Sequence, residues 1–255
     1  MKKPGVLVLI AALTAGVCVP VGAEVPSAVP AYVAAAVANP ARPAEDVARD
    51  EARKPAAVLT FAGVKPGWRV LELIPGKGYF TRLLSGVVGP QGHVAEAVPQ
   101  VAAADVRQVS NGVAADPHFA NVGEIAMTPE AIGQAGPVDM VWTSQNYHDL
   151  HLSKFHQDVV ALDRTIYAAL RPGGIFFIED HAAAAGTGLQ SVDALHRIDE
   201  AFVKQEIESV GFRLVGESEA LRNRSDPHTL KVFDPSIRGH TDQFLLKFQK
   251  PGRAR

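Results

Sequence analysis

Val70–Leu84 reads VLELIPGKGYFTRLL: an aliphatic run that ends in an acid, breaks into Pro-Gly-Lys-Gly, and resumes with apolar residues at helical spacing. The run predicts a strand, the glycine stretch a turn, and YFTRLLSGVV a helix. A strand that turns through glycines into a helix has the form of a nucleotide-binding turn. A phosphate-gripping loop needs a glycine five residues before its Gly-Lys pair and a Ser or Thr after it. Leu71 and Gly78 hold those places, so that reading fails. The dinucleotide fingerprint needs a third glycine three residues beyond the second, to let helix and strand pack closely. Thr81 stands there and weakens that reading too. What remains is an acid at a strand end, Glu72, followed by Gly76-Lys77-Gly78.

On either side of this stretch the chain alternates. WRVLELI, GHVAEAV, FANVGEIAM, VDMVWTS and GGIFFIED read as strands. PAAVLTFAGV, PQVAAADVRQV and FHQDVVALDRTIYAAL read as helices, and Val192–Val210 as one further helix. Strands with both faces apolar, alternating with helices, predict a parallel sheet covered on both sides. GFRLVGESEAL and TDQFLLKFQK follow with no helix between them, which predicts a terminal antiparallel pair. PAEDVARDEARK, acids early and bases late, predicts a surface helix aligned with its dipole. Residues 25–43, rich in Ala, Pro and Val, read as a tether with one short helix near Ala31–Ala38.

The chain has 255 residues, 47% of them hydrophobic and 20% charged, with a formal net charge of -2. It is long enough for one α/β domain with a sizeable core. The near-neutral balance has no basic block, so nucleic acid is not an expected partner. Lys2 and Lys3 precede an apolar run to Val21, and VGA follows at Val21–Ala23. This order reads as a secretory signal peptide over 1–23, cleaved after Ala23. An uncleaved anchor is the other reading, although the run is short for a span. The single cysteine, Cys18, lies in this segment behind Val17 rather than a small residue, which disfavours lipidation. A mature chain without cysteine tolerates an oxidising compartment. The expected organisation is therefore a signal peptide at 1–23, a tether with helices at 24–54 and a domain at 55–255. The expected location is periplasmic or secreted, with no membrane span after cleavage.

Glu72 with Gly76 and Gly78 resembles the first motif of the class I S-adenosylmethionine-dependent methyltransferases, with Ile74 in place of the family's first glycine. LRPGGIFFIED at Leu170–Asp180 is similar to the family's turn into its fifth strand, and VDMVWTSQNYHDL to its fourth-strand motif. The final two strands match its antiparallel pair. NYHD, EDH, LHRID and the closing TD…F…KP resemble a subgroup of exported proteins described as predicted methyltransferases. The resemblance covers roughly 53–251. It implies a doubly wound, mainly parallel seven-stranded sheet with an antiparallel last strand, the Rossmann-like methyltransferase fold. It further implies S-adenosylmethionine as cofactor and methyl transfer to a small molecule. The family's second-strand acid, which grips the ribose hydroxyls, would fall near Val98. Glu96 lies two residues earlier on the same face and is the candidate for that role.

In an open parallel sheet, ligands sit beyond the carboxyl ends of the strands. Three loops should meet there: Ile74–Tyr79, Ser144–His151 and Asp180–Gly188. The candidate cofactor contacts are therefore Glu72, Pro75, Gly76, Gly78, Tyr79, Glu96 and Asn146. The candidate catalytic residues are His148, Asp149 and His181, either histidine acting as general base or merely fastening a loop by a hydrogen bond. YHDLH, His156 and His181 offer imidazoles and a carboxylate, but their spacing matches no standard zinc pattern and no metal ligand is assigned. Asp193, Arg197 and Glu200 at helical spacing read as surface ion pairs, with His196 and Arg197 as substrate contacts if that helix covers the pocket. ESEALRNRSDPH reads as a surface loop or a rim. An exported, non-catalytic small-molecule-binding protein that keeps the fold is the alternative function, and a metal-assisted hydrolase a weaker one.

Overall fold

The structure, a computed structural model, describes residues 28–99 and 112–252. The signal peptide expected at 1–23 lies outside them, as does most of the helix expected over PQVAAADVRQV. Seven strands form one sheet in the order β3-β2-β1-β4-β5-β7-β6. They are β1 (Arg69–Leu73), β2 (His93–Val98), β3 (Val122–Ala126), β4 (Val138–Ser144), β5 (Leu170–His181), β6 (Arg213–Ser218) and β7 (Gln243–Gln249). The first five run parallel to their neighbours, and β7 lies antiparallel between β5 and β6. This is the doubly wound sheet with antiparallel last strand that the sequence predicts.

The reason lies in the strands themselves. β4 and β5 are apolar on both sides, and each side is covered. On one face, Trp142 stacks on Phe177 with ring centroids 4.1 Å apart and touches Phe80 at 4.8 Å. Helices α1 (Ala31–Val37), α4 (Pro55–Ala62) and α5 (Tyr79–Val88) close that face. A Cβ on Gly86 of α5 would lie 2.9 Å from the Ala36 Cβ, so glycine there lets α1 pack directly on α5. On the other face, Phe176, Ile178 and Phe248 meet α8 (Val159–Ala169) and α10 (Glu200–Ser209) through Leu162, Ile166, Val203 and Ile207. No helix among the described residues is long and apolar enough to cross a membrane.

Two expectations need correction. PAEDVARDEARK is not one surface helix but two single turns, α2 (Ala44–Val47) and α3 (Asp50–Arg53), with Asp46 and Arg53 buried. Asp46, Arg49, Asp50 and Arg53 fall at i, i+3, i+4 and i+7, one face, and Asp46, Asp50 and Arg53 reach α5 through Arg82 and Tyr79 while Arg49 stays exposed. The helix expected at Val192–Val210 is also broken. α9 (Val192–Leu195) stops at His196, which takes a left-handed φ of 55°, and α10 starts only at Glu200. The break turns Arg197 inward, where it is fully buried rather than paired on the surface. Its guanidinium grips Asp226, and the 219–242 segment is thereby tied to the α9–α10 connection instead of lying free.

Candidate functional site

The strand order reverses direction between β1 and β4, the place where an open α/β sheet leaves a crevice at its carboxyl edge. A cavity of about 890 Å³ opens there, within the range of small-molecule sites. Its floor is the ends of β1 and β4, its walls the α2–α3 segment and the 232–243 segment.

At the end of β1, Ile74 stands where the resemblance expects the first glycine, and it adopts a φ of 49°. A β-branched residue in the left-handed region is strained by about 1–3 kcal/mol. Asn146 holds the turn in place by donating Nδ2 to the Ile74 carbonyl at 2.7 Å and the Leu73 carbonyl at 3.4 Å. The Asn146 Oδ1 is in turn bonded by Thr143. Gln145, at the matching position after β4, has a φ of 59°. Both strained residues border the cavity, so the strand ends are bent open around it.

Gly76 and Gly78 differ in what they do. Gly76 has a φ of 58° and faces the cavity with nothing within 4 Å of an added Cβ. Gly78 caps α5 with a φ of 76°, and a Cβ there would meet the Val113 Cγ2 at 2.5 Å. Gly76 shapes the cavity; Gly78 lets the helix start.

Glu72 borders the cavity from beneath and is 3% exposed. Glu96, paired with it across β1 and β2, is fully buried and does not reach the cavity. The Thr81 hydroxyl sits between them, 2.6 Å from the Glu72 Oε2 and 2.9 Å from the Glu96 Oε1. One hydroxyl proton serves only one carboxylate, which favours retention of a further proton on the pair. Burial, with Glu96 next, pushes the Glu72 pKa up to about 8, and burial pushes Glu96 up to about 7. An acid whose folded pKa is raised loses stability as pH climbs, because the unfolded chain releases its proton first. Replacing Glu96 with Gln should therefore stabilise the protein, on the order of 1–3 kcal/mol, at pH 8 and much less near pH 5. Thermal melts of both proteins across that window check this. An equal shift at both pH values would show that Glu96 is ionised in the native state.

The α2–α3 segment brings cations that the sequence reading missed. The Arg53 guanidinium lies 4.4 Å from the Tyr79 ring centre and 4.8 Å from that of Phe80. It donates to the Ser144 Oγ at 2.8 Å and stands 3.7 Å from the fully buried Glu179. Burial raises the Glu179 pKa, with Arg53 opposing it. The Tyr79 hydroxyl donates to Asp50 at 2.6 Å, and Arg42 bonds the same carboxylate at 2.6 and 2.9 Å. Tyr79 is thus held by the segment, its ring against the cavity wall. The one-face spacing of Asp46, Arg49, Asp50 and Arg53 is the signal that could have found this contact.

Of the candidate catalytic residues, Asp149 and His181 face the cavity and His148 stands behind them. Asp180, fully buried, accepts from the His148 backbone N–H and lies 2.7 Å from its Nδ1. Burial alone would depress the His148 pKa, but Asp180 and Asp149 together raise it to about 10. A ring held in this form must give up its Nε2 proton before that nitrogen can act as a base or as a ligand. His181 goes the other way: burial lowers its pKa to about 3, so its ring is neutral, with Nδ1 2.8 Å from the Thr241 hydroxyl.

No protein-family model matches the sequence, and no curated protein matches it significantly. Solved structures do match in fold. A SAM-dependent methyltransferase from Aquifex aeolicus aligns with a TM-score of 0.54 at 15% identity, over 79% of this chain and 98% of its own. The arsenic(III) S-adenosylmethionine methyltransferase of Chlamydomonas reinhardtii aligns at 0.54 and 19%, over 88% and 74%. The cyclase SpnF aligns at 0.55 and 16%, over 82% of each chain. The chain has the class I methyltransferase fold. At these identities the likeness speaks for the fold alone, and a cyclase among the matches shows that the fold also carries other chemistry.

Proposed function

We propose that the chain is an S-adenosylmethionine-dependent methyltransferase acting on a small molecule, exported by a signal peptide at 1–23 to the periplasm or beyond. The observation that carries this reading is the open face of Gly76. At the strand-order reversal, a turn bent by two strained residues leaves open space at Gly76 into which a side chain would project. The fit is good at this end: Glu72, Pro75, Gly76 and Asn146 come together at the ends of β1 and β4, with Tyr79 beside them. It is poorer at the ribose end, where Val98 stands in the expected place and Glu96 is sealed below.

When bound, the cofactor would supply an electrophilic methyl group. Such transfer asks the protein mainly for alignment and exclusion of water. Asn146 and the Ile74 turn hold the floor rigid, and Phe233 and Val232 close the far wall. His181, neutral and at the cavity surface, can accept a hydrogen bond from an acceptor hydroxyl or amine and orient its lone pair. Asp149 stays ionised, because His148 and His196 outweigh the effect of burial and lower its pKa.

Calorimetric titration of the folded protein with S-adenosylmethionine and S-adenosylhomocysteine tests the reading. Saturable one-to-one binding of both is expected. Binding of neither would leave the second reading, an exported binding protein, which the missing ribose acid favours. A screen of phenols, amines and small acids with labelled cofactor then separates the two, since a binding protein transfers no label. The N-terminal mass of the protein from a cell-envelope fraction checks export: a chain starting near Glu24 supports it, and a soluble cytoplasmic chain keeping Met1 or Lys2 overturns it.

A further inference from the structure

His148, Asp149 and His196 converge beside the cavity, which Asp149 lines, from two segments far apart in the sequence. The His148 Nε2 lies 3.3 Å from the Asp149 Oδ1, and the His196 Nδ1 lies 3.4 Å from the same oxygen. One ligand atom from each falls within 4.8 Å of the other two. Both separations exceed the usual length of an N–H···O bond, about 2.7–3.2 Å. They equal the edge of a tetrahedron with metal–ligand bonds of about 2.0–2.1 Å, which is roughly 3.3–3.4 Å. The third edge, between the two histidine nitrogens, lies within 4.8 Å and would tighten as an ion drew the rings together.

The surroundings support the same assignment. The His148 Nδ1 faces the Asp180 carboxylate at 2.7 Å, and that carboxylate is itself fixed by the backbone N–H groups of His148 and His181. A metal-bound imidazole almost always gives its other N–H to a carboxylate, which fixes the ring and the tautomer. Here that partner is already built, and it aims Nε2 at Asp149. His196 is held at a left-handed φ of 55° with its ring 5.4 Å from that of His148 and 5.0 Å from Phe233. The bend ends α9 and leaves the ring beside Asp149. The side chains of Asp149 and His196 are 31% and 18% exposed, and Asp149 lines the cavity, so the cluster is not sealed.

We propose that His148, Asp149 and His196 form a three-ligand site for a divalent transition-metal ion of the zinc(II) class, with a fourth position open to the cavity. Two imidazoles and one carboxylate with an open position are the donor set of such ions, not of magnesium or calcium. An oxygen or nitrogen in the open position would give up its proton more readily, and a hydroxyl- or amine-bearing acceptor would thereby be activated beside His181. That consequence rests on the methyl-transfer reading; the ion site does not.

The test uses the full chain stripped with a chelator and titrated with zinc(II), with cobalt(II) as a coloured probe of tetrahedral coordination. One ion per chain is expected, with intense tetrahedral cobalt bands. His196→Ala and Asp149→Asn should each weaken zinc binding at least tenfold, and Asp180→Asn about 10–100-fold, the usual effect of removing the outer carboxylate. His118→Ala, an exposed histidine elsewhere, should leave binding unchanged. His196 is half-buried and ends a short helix, so its variant is expected to stay folded, and a melting curve without metal verifies that. Absence of saturable zinc binding overturns the site, as does binding that survives both His196→Ala and Asp149→Asn. Zinc binding without S-adenosylmethionine binding would keep the ion site and remove the methyltransferase reading, so the two failures are distinguishable.

Discussion

Arg197→Ala is expected to destabilise the protein by about 3–5 kcal/mol, the usual result of removing one partner of a buried ion pair. Arg197 is fully buried and its hydrogen-bonding groups are used several times over. Its Nε donates to the Leu230 carbonyl at 2.9 Å and one terminal nitrogen to that of Ala182 at 3.0 Å. The two terminal nitrogens hold Asp226 in a fork at 2.8 and 3.1 Å. Asp226 also accepts from the backbone N–H groups of Asp242 and His228. Truncation at 197 therefore leaves an ionised carboxylate in the interior and two carbonyls without their donor. Arg197→Lys keeps the charge but loses the fork, and should cost less. Denaturant melts of both variants give the comparison; a loss under about 1 kcal/mol for Ala would mean that water reaches the site. The effect extends to the cavity, because the segment that Asp226 anchors supplies Val232, Phe233 and Thr241 to its wall. Ligand affinity should fall with stability in these variants.

Gly76→Val and Gly78→Val should fail in different ways, although the sequence treats the two glycines alike. At Gly76 the new Cβ has open space in the free protein, so the fold should lose only about 1–2 kcal/mol from the left-handed φ. That open space is where the proposed cofactor lies. Overpacking it by a branched side chain costs about 1–3 kcal/mol of binding, a rise in Kd of roughly 5- to 150-fold. At Gly78 the Cβ collides with Val113 at 2.5 Å and α5 loses its starting conformation, so stability should fall more and the cavity shape follow it. Calorimetry and melting on the two variants separate the cases. Unchanged cofactor binding in a folded Gly76→Val protein would place the ligand elsewhere.

The fold was legible because it depends on local signals that repeat. Strands apolar on both faces must be covered on both sides, which alternating helices do, and successive strands without an intervening helix most readily pair antiparallel. VDMVWTS and GGIFFIED carry that information by themselves, and β4, β5 and β7 appear where the pattern put them. The site was legible to the extent that it lies at strand ends. Glu72, Gly76, Asn146, Asp149 and His181 converge because a parallel sheet brings its carboxyl ends together whatever the loops contain.

The remainder was decided by tertiary contacts, which leave no period in the sequence. Glu96 alternates onto the expected face of β2, yet the Thr81 hydroxyl from α5 closes over it and keeps it from the cavity. The charge order of PAEDVARDEARK describes an isolated helix equally well; it is the Tyr79 and Phe80 rings and the buried Glu179 that draw Arg53 inward. Arg197 reads as a surface residue until Asp226, 29 positions later, supplies the counter-charge that makes its burial tolerable. His148 and His196 likewise have no common spacing, and only the break after α9 sets both beside Asp149. Composition and periodicity determine which faces must be covered, since hydrophobic burial depends on area and pattern. Which charges meet under that cover depends on single distances of a few ångströms, because the strength of an ion pair falls with separation and rises as water is excluded.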